Sequence, residues 1–342
     1  MAYEDMPYWQ QQRNNRLRER RGGAVEYGEP PFDGLVAWVA GEYIAGRELR
    51  PFLDVSDQDI TEGPWLGADL IAITDRSGTP VPQRVAELRE LIRGNPQAAG
   101  ITDIRLAPHY VLTGEPKATV PRGTSDGPPA PAEAIAATTW SQWSVHAGLT
   151  AVIDSGVDPA VTWAGQVSDG TDNDTLLATD GSLASQAGHG TFVASLVQRA
   201  AAGGAPLRAI QVLDIDGTTT EQELVLGLMK LRGLVAGLPW VVVNLSLGGF
   251  TDNGDWAAGL PDLTLLDEDK NRLPLALGAE LARWAAEVPN AVFVAAAGND
   301  SQVDRHFWPA ALADAGVEAA AARPTFVAVA SLDSGQAPSL FT

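Results

Sequence analysis

Four runs of almost unbroken apolar residues, LTAVID (149–154), RAIQVL (208–213), WVVVNLS (240–246) and AVFVAAAG (291–298), alternate with segments of helical spacing. Those segments begin near Gly190, near Glu221 and at about residue 276, the last running to 287. A strand that is apolar at nearly every residue must be buried on both faces, so this alternation predicts an α/β unit: a parallel sheet with helices on both faces. The second helix opens on Thr220-Glu221-Gln222-Glu223, a capping box in which the Thr220 hydroxyl accepts from the Glu223 amide and the Glu223 carboxylate accepts from the Thr220 amide. Open sheets of this kind bind ligands beyond the carboxyl ends of their strands, and Asp154, Ser246 and Asn299 all fall at such ends.

The pattern upstream is different. Residues 34–45 and 101–112 have the β-branched and aromatic content of strands, and Val85 to Arg93 between them repeats apolar residues at helical spacing, which reads as β-α-β. Residues 113–131 then carry Pro116, Pro121, Pro128, Pro129 and Pro131, a composition that disfavours both helix and sheet. The expected organisation is a polar N-terminal segment (1–29), a small α+β domain (30–112), a Pro/Gly-rich linker (113–131) and the parallel-sheet domain (132–342). Within the last, the Asp- and Gly-rich stretch 251–272 reads as a surface insertion.

Composition removes several chemistries. The absence of cysteine excludes disulfide frameworks, thiolate metal sites and thiol nucleophiles. A formal net charge of −20, from 43 acidic and 23 basic residues, opposes nucleic-acid binding. No apolar run reaches the roughly 18 residues of a membrane span, and the Arg-containing N-terminus lacks the apolar stretch of a secretory signal, so a cytoplasmic location is expected.

Three segments carry groups suited to nucleophilic hydrolysis, which needs a base, a carboxylate to hold that base in one tautomer, and donors for an oxyanion. Asp154 ends an apolar strand ahead of Ser155-Gly156; by itself a strand-end aspartate is a turn former. His189 stands between two glycines in Gly188-His189-Gly190-Thr191-Phe192-Val193-Ala194, at the start of a helix. Asn299 follows Ala296-Ala297-Gly298, where an Asn-Asp turn is the simpler reading. Ser246-Leu247-Gly248-Gly249, at another strand end, could pair its backbone with an extended peptide.

Taken together and in chain order, the four segments resemble the subtilisin-like (S8) serine peptidase family, whose Asp-Ser/Thr-Gly, His-Gly-Thr-x-Val-Ala, Ser-Leu-Gly-Gly and Ala-Ala-Gly-Asn motifs they match. Val212-Leu213-Asp214, Trp308-Pro309-Ala310 and Val327-Ala328-Val329-Ala330-Ser331 add to the resemblance, which covers about residues 132–342. It implies a subtilisin-like sheet and an endopeptidase in which Asp154 orients His189, His189 is the general base, Asn299 donates to the oxyanion and Ser246 to Gly249 bind a peptide or protein substrate. The family's nucleophile lies in a Gly-Thr-Ser-x-Ala-x-Pro motif beyond the asparagine, and no such motif follows Asn299 here. The 342 residues are therefore expected to be inactive alone, as a fragment, as one chain of a two-chain enzyme, or as a peptide-binding pseudoprotease. Residues 30–112 stand where family members often carry an inhibitory propeptide. No cofactor is required; calcium is common in the family, but the run Asp169, Asp172, Asn173, Asp174, Asp180 does not fit an EF-hand and reads as a solvated acidic loop. A competing resemblance is that of Asp214-Ile215-Asp216-Gly217-Thr218 to the nucleophile motif of haloacid-dehalogenase-type phosphatases, with Asp214 as phosphoryl acceptor.

Overall fold

The fold is that of a computed structural model, which describes residues 32–39, 60–65, 70–75, 79–94, 104–114, 148–161, 171–174, 187–201, 206–214, 217–251, 269, 271–298, 305–314, 316–317 and 323–330. The chain divides into two compact units. One comprises Met1–Leu112, Thr220–Leu226 and Phe250–Glu280, the other Thr113–Thr219, Gly227–Gly249 and Leu281–Thr342.

The first unit contains β1 (Phe32–Val39), β2 (Ile60–Trp65), β3 (Leu70–Asp75), helix α1 (Val81–Gly94) and β4 (Ile104–Thr113). These strands follow the order β2-β3-β1-β4. β1 runs antiparallel to both β3 and β4, with Val36 opposite Ala72 on one side and Ala107 on the other. The β-α-β expectation is therefore corrected. The crossover does exist, but it joins β3 to β4, which lie parallel with β1 inserted between them. β2 and β3 were not anticipated from the sequence: Gly63 and Pro64 interrupt β2, and β3 is a short apolar run that periodicity alone does not assign.

Helix α1 packs Val85 and Leu88 into the core of this unit. Its Arg89 forms a two-pronged ion pair with Asp269 (2.9 and 2.8 Å) and also donates to the Leu106 carbonyl. Thr251 and Asp269 are buried, Asn271 is half-buried and Arg272 is exposed; the middle of the 251–272 stretch lies outside the described residues.

The second unit is built on β5 (Leu149–Asp154), helix α2 (His189–Ala200), β6 (Leu207–Gln211), β8 (Val241–Leu245), β10 (Ala291–Ala296) and β12 (Thr325–Val329). Short strands β7 (Thr218–Thr220), β9 (Gly249–Phe250) and β11 (Phe307–Trp308) and a 3-10 turn at Ala310–Ala313 complete the described elements together with helices α3 (Glu221–Val235) and α4 (Leu275–Glu287), whose first residues, to Leu226 and to Glu280, belong to the first unit. The main sheet has the order β12-β10-β8-β5-β6, parallel throughout. This is the α/β architecture that the apolar runs predict. All six residues of β5 are buried.

Burial of Val152, Val157, Ala194, Leu207 and Ala209 fixes α2 against the β5–β6 side of the sheet. Toward the other edge, Phe293 of β10 meets Trp284 of α4 edge-on at 5.2 Å and stacks on Phe326 of β12 at 5.0 Å.

Candidate active site

Strand register places the site. Ile153, Ile210, Leu245 and Ala295 lie at one level across the sheet, so the next positions, Asp154, Gln211, Ser246 and Ala296, form its carboxyl edge. From β5 the chain passes to β6 on one side, then to β8, β10 and β12 on the other. The loops leaving β5 and β8 therefore diverge, and this switch in strand order is where an open α/β sheet has its ligand crevice. Asp154 and Ser246 flank it.

Asp154 is fully buried; its Oδ1 accepts from the Ser155 amide (2.8 Å) and lies 2.6 Å from His189 Nδ1. A buried carboxylate at that distance accepts a hydrogen bond from Nδ1–H, which leaves Nε2 as the acceptor of the ring. The imidazole is partly exposed, with 29% of its side chain reaching solvent.

His189 can stand there because its neighbours lack side chains. Gly188, the N-cap of α2, has φ +81 and ψ 2, and it offers no side-chain cap to the helix. A Cβ on Gly190 would fall 2.2 Å from the Gly156 carbonyl oxygen and 3.2 Å from the Asp154 Cβ, so only glycine lets the first turn of α2 come this close to the end of β5.

Further contacts bind these loops. Ser155 Oγ accepts from the Gly190 amide (3.1 Å) and donates to Asp174 Oδ2 (3.1 Å), which also accepts from the Gly188 amide (2.7 Å). The Asp158 amide donates to Thr191 Oγ1 (2.7 Å). Sequence reasoning missed Ser155 and Asp174: the first was noted only as part of the Asp motif, the second only as a candidate metal oxygen.

Ser246 donates to Asn244 Oδ1 (3.0 Å), while Leu247, Gly248 and Gly249 are buried. A Cβ on Gly248 would strike the Phe307 ring at 2.3 Å and the Trp308 carbonyl at 2.5 Å. Packing against β11 is thus a structural requirement for this glycine, separate from any approach of a peptide. Asn299 lies outside the described residues, and so do Asp169 and Asp180.

Asp172 accepts from the Gln211 amide (3.0 Å) and pairs with Lys230 at 2.7 Å, so both described aspartates of the acidic run hold protein groups. Among the described residues no group of three or more His, Asp or Glu is placed to hold a metal ion. Asp214 uses its carboxylate within a turn: Oδ1 accepts from the Thr218 amide and Oδ2 from the Thr218 hydroxyl, both at 3.0 Å, around Gly217 at φ +72. That is the geometry of a turn former, and it favours a structural role for Asp214 over that of a phosphoryl acceptor.

No family model matches the chain, and no curated protein matches it. Among solved structures it is similar to a cold adapted subtilisin-like serine proteinase at 20% identity and a TM-score of 0.38, over 58% of this chain and 60% of that one.

Proposed function

We propose that the second unit carries the acid–base half of a serine endopeptidase site of subtilisin-like type. The observation that carries this reading is the 2.6 Å contact between the buried Asp154 and His189 Nδ1 at the carboxyl edge of a parallel sheet. Asp154 keeps the ring in the tautomer whose Nε2 can accept a proton, and stabilises the imidazolium once that proton has arrived. His189 Nε2 removes the proton of a serine hydroxyl as its oxygen bonds to the scissile carbonyl carbon, then returns it to the leaving amine. Asn299 is assigned as donor to the oxyanion, and Ser246 to Gly249 as the strand along which the substrate backbone lies. The hydroxyl is assigned to a Gly-Thr-Ser-x-Ala-x-Pro segment, which does not occur among residues 300–342.

The test compares the 342-residue chain with a form completed by such a segment, using a fluorophosphonate probe and casein, with His189→Ala as the control. Labelling and cleavage by the completed form, both lost in His189→Ala, are expected. Labelling of the short chain, or cleavage that survives His189→Ala, overturns the assignment.

A further inference from the structure

The sequence neighbours of the candidate pair meet at one carboxylate. Asp174 Oδ2 accepts from the Gly188 amide, immediately before His189, and from the Ser155 hydroxyl, immediately after Asp154. That hydroxyl accepts in turn from the Gly190 amide, immediately after His189. Nothing in the motif requires Asp174 to do this; residues 175–186 separate it from the histidine turn.

We propose that Asp174 is the positioning residue of this site, acting through Ser155 and Gly188 to hold His189 against Asp154. The inference rests on the endopeptidase reading for its catalytic meaning, and on geometry alone for its mechanical one. A helix leaves its first amides without intrahelical partners, and a residue at the N-cap ordinarily supplies an oxygen to one of them. Gly188 has no side chain to do so, and α2 has no side-chain cap of its own. The Ser155 hydroxyl takes the Gly190 amide, and the Asp174 carboxylate orients that hydroxyl while taking the Gly188 amide. A carboxylate at this end also meets the positive pole of the helix. Without it the Gly188 amide and the Ser155 hydroxyl lose their shared acceptor, and the glycine-flanked turn holds the imidazole against Asp154 less firmly.

Asp174 is itself held in place. Its amide donates to the Val157 carbonyl (2.9 Å), the Val157 amide donates to the Asp172 carbonyl (3.1 Å), and residues 157 and 173 form a parallel bridge. A Cβ on Gly156 would fall 2.6 Å from the Asn173 carbonyl oxygen. The segment 172–174 is thus pressed onto the loop that follows Asp154, and hydrogen bonds tie the carboxylate, the serine and the helix start together.

The experiment uses the 342-residue chain, needs no turnover, and reads the Nδ1 proton of His189 by NMR with 15N-histidine labelling. The chain has four histidines, and His189→Ala assigns the signal. Wild type is expected to show a downfield Nδ1 proton protected by its bond to Asp154. Asp174→Ala is expected to raise its exchange with solvent by about tenfold or more, the effect of losing a hydrogen bond to a charged group. Asp174→Asn, which keeps an oxygen acceptor, restores most of the protection. Asp172→Ala is the structural comparison: it removes the Lys230 pair from the same segment, lowering the melting temperature while leaving the His189 proton unchanged. Should Asp174→Ala not fold, Ser155→Ala decides instead and is expected to raise exchange in the same direction. An unchanged His189 proton in folded Asp174→Ala, or equal effects of Asp172→Ala and Asp174→Ala, overturns the proposal. Absence of the protected proton from wild type overturns both this proposal and the endopeptidase reading. A protected, Asp174-dependent proton in a completed form that never takes the fluorophosphonate supports the positioning role and overturns only the endopeptidase reading.

Discussion

Gly190 stands so close to Gly156 that a single methyl group at position 190 would overlap the Gly156 carbonyl oxygen at 2.2 Å. The obstacle is backbone, so it cannot swing aside, and helix α2 must retreat from the end of β5 to accommodate even alanine. Because His189 opens that helix, the retreat lengthens the Asp154–His189 contact. Misplacement by about 1 Å costs on the order of 10²-fold in rate. On the endopeptidase reading, Gly190→Ala in a form extended by a Gly-Thr-Ser-x-Ala-x-Pro segment is therefore expected to slow fluorophosphonate labelling by about 100-fold, and an unchanged rate would refute the role given to this contact.

Gly188 tests a different quantity. Nothing lies within 4 Å of a Cβ built there, but its φ is +81. Gly188→Ala should therefore cost only the backbone term, about 1–2 kcal/mol of stability. Gly188→Asn should cost less, since asparagine tolerates the left-handed region. Thermal or urea unfolding of the two variants measures the difference, and equal losses would mean that something other than backbone strain governs the position.

Glu221, in the first unit, is fully buried, and burial pushes its carboxyl from an ordinary 4.5 up to about 7, although the amides of Leu277, Ala276 and Tyr110 pull the other way. The folded state therefore holds this proton over a range in which the unfolded chain has lost it. Stability falls as pH rises from about 4.5 to about 7 and then levels off, by roughly 3 kcal/mol in all for this group. Glu221→Gln keeps an oxygen for the Ala276 and Leu277 amides and cannot ionise. It is expected to match wild type near pH 4 and to exceed it above pH 7. Denaturant unfolding across that range checks the prediction, which fails if the two curves run parallel.

Arg89 and Asp269 form a further, largely buried polar junction in the first unit, with side chains 18% and 9% exposed. Asp269→Ala removes the carboxylate that meets both guanidinium nitrogens, and breaking a largely buried ion pair from one side costs about 3 kcal/mol. Arg89→Lys is expected to recover little of the wild-type stability, because an ammonium cannot reproduce the fork that meets both carboxylate oxygens. A double-mutant cycle in urea reads the coupling, and a value near zero would show the pair to be incidental.

In the second unit, Phe293 lies between Trp284 and Phe326 with no exposure of its own. Phe293→Ala is expected to cost about 3–5 kcal/mol through lost burial and the cavity left between two rings. Phe293→Leu, which fills more of the space, should cost appreciably less. Equal losses in the two variants would indicate that the rings close over the gap.

Local chemistry is what the sequence by itself determined. The capping box forms as read, with the Glu223 amide 3.2 Å from Thr220 Oγ1 and the Thr220 amide 2.9 Å from the Glu223 carboxylate, because all its partners lie within one helical turn. LTAVID becomes a strand buried at every residue because its apolar run tolerates no exposed face. The same local signals mark Asp154 at a strand end and His189 between glycines. Pairing between distant segments was decided only by the tertiary structure. β1 inserts between β3 and β4, an arrangement that depends on sheet neighbours far apart in the chain and leaves no imprint on any one strand's periodicity. Thirty-five positions separate Asp154 from His189, and their contact exists because parallel register and the missing side chain of Gly190 bring a helix start against a strand end. Asp174 looks like any acidic loop residue until Gly156 seats its segment beside Ser155. Glu221 looks like the exposed first residue of a helix until the amides at the start of α4 close over it. In each case the deciding term is the burial of a polar group against partners supplied from elsewhere in the chain, and only the folded structure brings those partners together.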